Sequence, residues 1–341
     1  MTRLYEYSIN TVRSKQKFNT AFKIIISFSF ALLCYRLVFN QIEISSIFSY
    51  LININGYWLS IAIIGNFLTF LPRSLRWKVG MSPLGRISFS STHNALIIGY
   101  SINNIFPFRI GEVTRAFLVF PRSKRLRSLV ILSIIVDRFF DFLVLVLWAC
   151  VICFIFGVSL YSSSLYTMGL ILTTVITFGS ILLIFISRYI ANFKYDPIKY
   201  DRYSYVYRLL KYFLQFYKHL EKYTNSLRNP LVLSVLFLLT NIIWLGEVTV
   251  FYFTAKSMSL DIPLIFIFLT VSISNLATSI PVSPGGFGQF EIAAKQILLL
   301  AGLGYSEAIA YSVLVHGVLI IPISIFGLIL VLIKYLSPRT I

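Results

Sequence analysis

Seven long apolar runs constrain this chain more than any other feature. They cover residues 24–39, 57–71, 129–157, 165–186, 231–253, 262–280 and 308–333. Crossing the hydrocarbon core of a bilayer takes roughly 17–25 mainly apolar residues. Most of the runs reach that length alone, and 57–71 must borrow flanking residues. Only 12% of the residues are charged against 57% hydrophobic, and the mean hydropathy is +0.82. Ordinary soluble domains carry about a quarter charged residues, so a soluble fold is excluded. With no water in the hydrocarbon core, the backbone must satisfy its own hydrogen bonds, which at these run lengths means helices. The expectation is an all-α, polytopic membrane bundle of about six to eight transmembrane helices.

The longest hydrophilic stretch, 188–230, has about forty residues, near the lower limit for independent folding. Residues 1–341 therefore read as a single membrane domain: a first half 1–187, a basic loop 188–230 and a second half 231–341. The first apolar run follows a basic stretch, but it is too long for a signal peptide and lacks a small-residue cleavage site. It reads as a retained span. Within the loop, Tyr203, Val206, Tyr207, Leu210, Phe213, Leu214 and Tyr217 follow helical spacing opposite Arg208, Lys211, Lys218 and Lys222. That is an amphipathic helix suited to an anionic leaflet or to packing on the protein itself.

The formal charge of +18 is uneven. Basic residues cluster before the first run, after the second (Arg73, Arg76, Lys78, Arg86), before 129–157, and in the central loop. The segments 41–56 and 158–164 contain no Lys or Arg. The positive-inside rule then puts the N-terminus, the basic loops and the C-terminus in the cytoplasm, with the chain in the plasma or inner membrane. This leaves 87–120 between two cytoplasmic loops. A re-entrant hairpin resolves the conflict, and His93, Asn94, Asn103, Asn104 and Pro107 suit backbone buried in protein. Parity in the second half calls for another hairpin at 262–302, entering from the opposite face around Pro281, Pro284, Gly285 and Gly286. Inverted repeats with broken helices point to a transporter's midplane site. Two polar loops between ordinary spans are the plainer alternative.

Charges inside apolar runs need partners. Asp137, Arg138 and Asp141 lie in 129–157; each costs about 2.5–3.5 kcal/mol at the bilayer centre. They belong near a boundary or facing the bundle, with Arg109, Arg115 or Glu112 as candidate partners. Glu247 shares its run with Asn241 and Trp244, and must be paired or protonated. His316, in the last run, reads more readily as a satisfied packing residue than as a ligand. Cys34, Cys150 and Cys153 all lie inside apolar runs, and the C-x-x-C of Cys150 and Cys153 has no basic neighbour to lower a thiol pKa, so they read as buried, inert cysteines. Signatures of hydrolases, nucleotide-binding loops and zinc proteases are missing. The three histidines are far apart in sequence. No enzyme activity, cofactor or metal is expected, and no nucleic-acid partner.

Three segments carry a family resemblance. The run from Asn103 to Arg115, N-N-I-F-P-F-R-I-G-E-V-T-R, resembles an N-x-x-x-P-x-R-x-G-E-x-x-R motif. Asp137-Arg-Phe-Phe-Asp141 is similar to E-R-x-x-D, and Pro284-Gly-Gly-Phe-Gly-Gln-Phe-Glu291 to P-G-G-x-G-x-x-E. The family is the flippase-like membrane domain of lysylphosphatidylglycerol synthases, also called UPF0104, and the resemblance spans nearly the whole chain. It implies a lipid-translocating region without the soluble aminoacyltransferase domain. Asp137 replaces the usual Glu, and His316 stands where members often carry Arg, which weakens any transfer of a headgroup contact there.

The residues and the resemblance together lead to a lipid flippase or lipid-binding transporter for an anionic or glycosylated phospholipid. Arg109 and Arg115 would attract a phosphate, which suits a guanidinium fork. Glu112 and Glu291 would hold the hairpins or read a polar headgroup, and Asp137, Arg138 and Asp141 would form a switching ion-pair network. Asn104, Pro107, Gly111, Glu247, Pro284, Gly285, Gly286, Gly288 and His316 complete the candidate site. Partners would be membrane lipids and a possible membrane enzyme. The rival reading is a non-transporting scaffold for a lipid- or polysaccharide-modifying enzyme.

Overall fold

The computed structural model describes residues 49–120, 124–156, 229–280 and 283–336, with the single positions Ser29 and Arg36. The rest of run 24–39, run 165–186, Cys34 and the expected amphipathic helix 203–222 lie outside these. Every regular element among the described residues is helical. The chain is an all-α membrane protein, and among the described residues three helices are long and apolar enough to cross a bilayer.

The first of these, α1 (Gly56–Gly80), starts where the Asn55 side chain accepts from the backbone N–H groups of Tyr57 and Trp58. That cap satisfies donors the helix cannot. The helix runs nine residues beyond the apolar run, so Arg73 and Arg76 lie inside it. Counting them as loop charges was incorrect: both are buried, at 7% and 1% exposure. α2 (Phe89–Ile105) begins at a Ser88 cap and stops at Phe106, whose extended backbone is what the following Pro107 favours. α3 (Ile110–Val119) turns back along α2. α4 (Lys124–Phe156) is a 33-residue helix, roughly 50 Å long. α5 (Pro230–Ser257) opens with an Asn229 cap and proline at its first position. α6 (Leu264–Ala277) and α7 (Gln289–Leu300) are short and joined through a Pro284–Gly286 turn. α8 (Tyr305–Leu336) carries Pro322 inside.

Small residues let these helices approach closely, as packing without a hydrophobic drive requires in a membrane. α1 lies along α5, where a Cβ on Gly246 would meet Thr69 Cγ2 at 3.0 Å. α8 meets α2 at Gly327, whose added Cβ would sit 2.4 Å from Ser101 Cβ. The α2–α3 hairpin closes on Gly99 and Gly111: a Cβ on Gly111 would fall 1.9 Å from the Gly99 carbonyl oxygen. One core cluster gathers Trp244, Phe251, Val271, Phe290 and Tyr311; another gathers Phe70, Trp77, Leu96, Ile134 and Ile323. Many large apolar residues face outward instead, among them Ile64, Leu68, Phe139, Val151, Leu238 and Leu332. A soluble protein would bury such residues, while a lipid-facing belt exposes them.

Pro322 has a positional consequence. It cannot donate to the Val318 carbonyl one turn earlier. Asn66 Nδ2 donates there at 2.9 Å and to Leu319 O at 3.1 Å. Asn104 Nδ2 donates to Ile320 O at 3.3 Å and Ser324 Oγ at 2.9 Å. The turn of α8 around Pro322 thus draws an amide from α1 and another from α2 to the same place.

Candidate functional site

Two hairpin tips meet at the centre of the described bundle. The first tip joins α2 to α3. Phe108 and Arg109 there have φ of 61° and 52°, a left-handed conformation disfavoured for L side chains. Asn103 Oδ1 accepts from Gly111 N at 2.7 Å and pins the turn. Arg109 reaches Glu112 Oε1 at 3.3 Å and donates to the Thr278 carbonyl, across in the second hairpin, at 3.0 Å. The second tip joins α6 to α7 and puts its left-handed positions on Gly285, Gly286 and Gly288, where glycine bears no Cβ penalty. Gly285 lies against the Asn104 backbone, so the tips abut.

The second tip is clamped from inside. Glu291 accepts from the Gly288 backbone N–H at 2.7 Å. Its other oxygen meets His316 Nδ1 at 2.6 Å, while His316 Nε2 lies 3.1 Å from the Gly285 carbonyl. Oxygen atoms flank both ring nitrogens, so the His316 ring bridges the Glu291 carboxylate on α7 to the Gly285 carbonyl of the tip. The imidazole stacks on Phe290 with centroids 4.3 Å apart.

Between the tips is a cavity of about 160 Å³. α1 contributes Asn66 and Arg73, α2 Tyr100, Asn103 and Asn104, and α4 Arg138. α5 adds Trp244 and Glu247, α6 Asn275 with Thr278 just past its end, and α8 His316, Leu319 and Ile320; Arg109 and Gly285 come from the tips. Amides, guanidiniums and apolar side chains thus share one wall.

From the cavity wall inward runs a network of buried and half-buried ions. Arg76 grips Asp141 with both terminal nitrogens, at 2.6 and 3.0 Å, and its Nε lies 2.8 Å from Asp137. It also donates to Thr240 Oγ1 at 3.0 Å, tying α1, α4 and α5 together. Arg73 pairs with Glu247, which accepts from Asn275 Nδ2 at 3.0 Å. Arg138 Nε donates to Glu112 Oε1 at 2.9 Å and faces Asp141 at 3.7 Å. Arg115 is 1% exposed and lies between the rings of Trp77 and Tyr100, 5.4 and 4.9 Å from their centroids. Pairing of this kind is what makes charges tolerable inside a bundle.

These features fall on the three sequence motifs in order: first hairpin, α4 acids, second hairpin. The family model of the lysylphosphatidylglycerol synthase TM region matches residues 21–327. The chain belongs to that family. A UPF0104 membrane protein of Methanocaldococcus jannaschii is similar to it as well, 26% identical over 231 residues, which are 67% of this chain and 92% of that protein.

Within this family frame, the sixteen candidate residues divide by position. Asn104, Arg109, Arg138, Glu247, Gly285, Gly286 and His316 line the cavity. Glu112 sits immediately behind it, shared by Arg109 and Arg138. Asp137 and Asp141 belong to the Arg76 cluster. Gly111, Pro284, Gly288 and Glu291 shape the hairpins, with Pro107 setting the end of α2. Arg115 is packed between aromatic rings and does not line the cavity. Sequence reasoning missed Arg73, Arg76, Asn66, Tyr100 and Asn275. The signal for the two arginines was available: three acids in apolar runs needed bases, and Arg73 and Arg76 sit one turn apart beside an apolar run too short to span alone. The cysteines expected to be buried are not: Cys150 lies exposed on the outward face of α4 and Cys153 is half-buried, both free, because an apolar helix in a membrane turns such residues toward lipid as readily as toward the bundle. Among the described residues no cluster of three metal-ligating side chains occurs.

Proposed function

We propose that this protein binds and translocates an anionic or glycosylated phospholipid, with the headgroup in the cavity between the hairpin tips. One observation carries the reading: the meeting point of two broken-helix hairpins is polar and arginine-rich, inside a bundle whose outer face is apolar. Three guanidiniums and one carboxylate line the cavity, so its field favours a phosphate. Leu319 and Ile320 on α8 continue the wall as half-buried apolar surface, which suits the start of an acyl chain. Arg109 is the residue a headgroup most easily recruits. It is partly exposed, its contact with Glu112 is long, and its bond to Thr278 ties the two tips. A phosphate bound by Arg109 competes with that tie and frees the hairpins to move. In this reading the chain is a carrier in the cell membrane with a cytoplasmic N-terminus, and catalyses no reaction.

Mass spectrometry of lipids copurifying with wild type and with an Arg109→Ala/Glu112→Ala variant tests this. A lipid class enriched in wild type and lost in a folded variant is the expected result, and it nominates the substrate for a reconstituted flip assay. Identical lipid profiles remove the first hairpin from lipid recognition and leave a scaffold role as the better account.

A further inference from the structure

The cavity also discriminates among headgroups, and the deduction rests on the lipid-binding reading above. An ammonium needs a carboxylate or an open aromatic face. Glu247 is the one carboxylate lining the cavity among the described residues, and both of its oxygens are engaged, one by Arg73 and one by Asn275. The aromatic faces are taken too. Tyr100 has Arg73, Arg115 and Arg138 at 5.8, 4.9 and 5.6 Å from its ring centroid. Trp244 and Phe70 have Arg73 at 5.2 and 5.8 Å, and Phe290 is stacked on His316. Phe106, at the rim and 48% exposed, is the lining aromatic left over.

Neutral hydrogen-bonding groups, by contrast, remain available. Asn66 and Asn104 each spend their Nδ2 on two acceptors of α8, which fixes the amide orientation and leaves Oδ1 of each without a partner among the described residues. Asn103 is oriented the other way: its Oδ1 accepts from Gly111, and Nδ2 is left. Two acceptors and a donor, in a positive field, match hydroxyl groups, which both donate and accept. Arg109 and Arg138 stand beside them with side chains 26% and 31% exposed, joined through Glu112.

We infer that the cavity selects a phosphate ester carrying neutral hydroxyls, of the glycerol- or sugar-phosphate type, and rejects headgroups bearing a free amine. An aminoacylated or ethanolamine lipid would bring a cation against three lining arginines, whose two neighbouring carboxylates among the described residues, Glu247 and Glu112, are already paired with Arg73 and with Arg109 and Arg138; like charges set side by side in this way disfavour binding. The shared chemistry could be offered by a lipid headgroup or by a soluble phosphate ester, and the lipid is the source to which the apolar α8 wall points.

The test is native mass spectrometry of the full chain in mild detergent. Phosphatidylglycerol, lysyl-phosphatidylglycerol and phosphatidylethanolamine with matched acyl chains compete at equal concentration, and glycerol 3-phosphate is offered separately. The expected result is phosphatidylglycerol occupancy at least about tenfold above either amine lipid, lost in Arg109→Ala. Phe106→Glu adds an unclaimed carboxylate at the exposed rim, where folding is least at risk, and should narrow the preference for phosphatidylglycerol over the lysylated lipid. Equal or greater occupancy by the amine lipids, dependent on Arg109, overturns the headgroup inference while keeping the lipid-binding reading. Occupancy of every lipid that ignores Arg109→Ala overturns the lipid-binding reading itself. Glycerol 3-phosphate bound in an Arg109-dependent way, with no lipid bound, overturns the lipid as source.

Discussion

The two hairpin tips solve the same geometric problem with different chemistry. The second places its left-handed positions on glycines and is locked from behind by Glu291 and His316, both about 95% buried or more. The first places left-handed backbone on Phe108 and Arg109, and is held by ion pairs whose side chains are 21–31% exposed. One tip is relaxed and sealed; the other is strained and held by contacts that an incoming anion can replace. The strain and the exchangeable charges coincide on the residue that faces the cavity, which is where stored backbone strain tends to be functional. In the carrier mechanism proposed above, the first hairpin would be the part that moves and the second the frame against which it moves.

The comparison can be broken at several points. The largest effect is expected behind both tips. Arg76→Met strips Asp137 and Asp141 of their shared cation, and removing one partner of a buried pair costs about 3–5 kcal/mol. Thermal unfolding in detergent should show a large drop in midpoint, and Arg76→Lys should not restore it, since an ammonium cannot reproduce the two-pronged grip on Asp141. Next, Gly111→Ala forces α3 away from the Gly99 carbonyl. Overpacking of this severity costs roughly 3 kcal/mol, and size-exclusion chromatography should show loss of monodisperse protein.

Smaller effects separate the tips themselves. Glu291→Ala leaves the Gly288 N–H and the His316 ring short of an acceptor, at about 1–3 kcal/mol. The loss should appear as faster hydrogen exchange at 284–291 and leave 103–112 unchanged. Equal acceleration in both hairpins would mean that they act as one unit. The smallest effects carry opposite signs. Phe108→Gly relieves a left-handed penalty of about 1–2 kcal/mol and should raise the melting temperature, while Gly285→Ala introduces a similar penalty and should lower it. A Phe108→Gly variant that melts lower would remove the claim of strain in the first tip.

Much of this architecture was readable before any coordinates. Pro107 between apolar arms gave the break at which α2 ends, and the Pro284–Gly286 turn gave the break before α7, whereas α6 stops earlier than the expected arm, at Ala277. Glu112 and Arg138 were expected as partners and are. Other expectations went astray for identifiable reasons. Arg73 and Arg76 were assigned to a loop because hydropathy measures local polarity, and a guanidinium paired inside a bundle looks the same in sequence as one in water. Arg115 was assigned to phosphate attraction, yet its surroundings are two aromatic rings brought together from α1 and α2. Asn66 and Asn275 drew no notice, because an isolated asparagine in an apolar run has no pattern.

What the sequence determined by itself is therefore one-dimensional: the membrane class from run length and composition, the helices from the backbone's need for internal hydrogen bonds, and the hairpin breaks from proline and glycine. Those follow from chemistry within a few residues along the chain. The tertiary structure alone decided which acid meets which base, which amide reaches the α8 carbonyls beside Pro322, and which arginines face the cavity. The partners in Asn66–Val318 and Arg73–Glu247 are 252 and 174 residues apart. Their pairing depends on helix rotation and crossing, which a polar side chain does not specify until the other helix is in place.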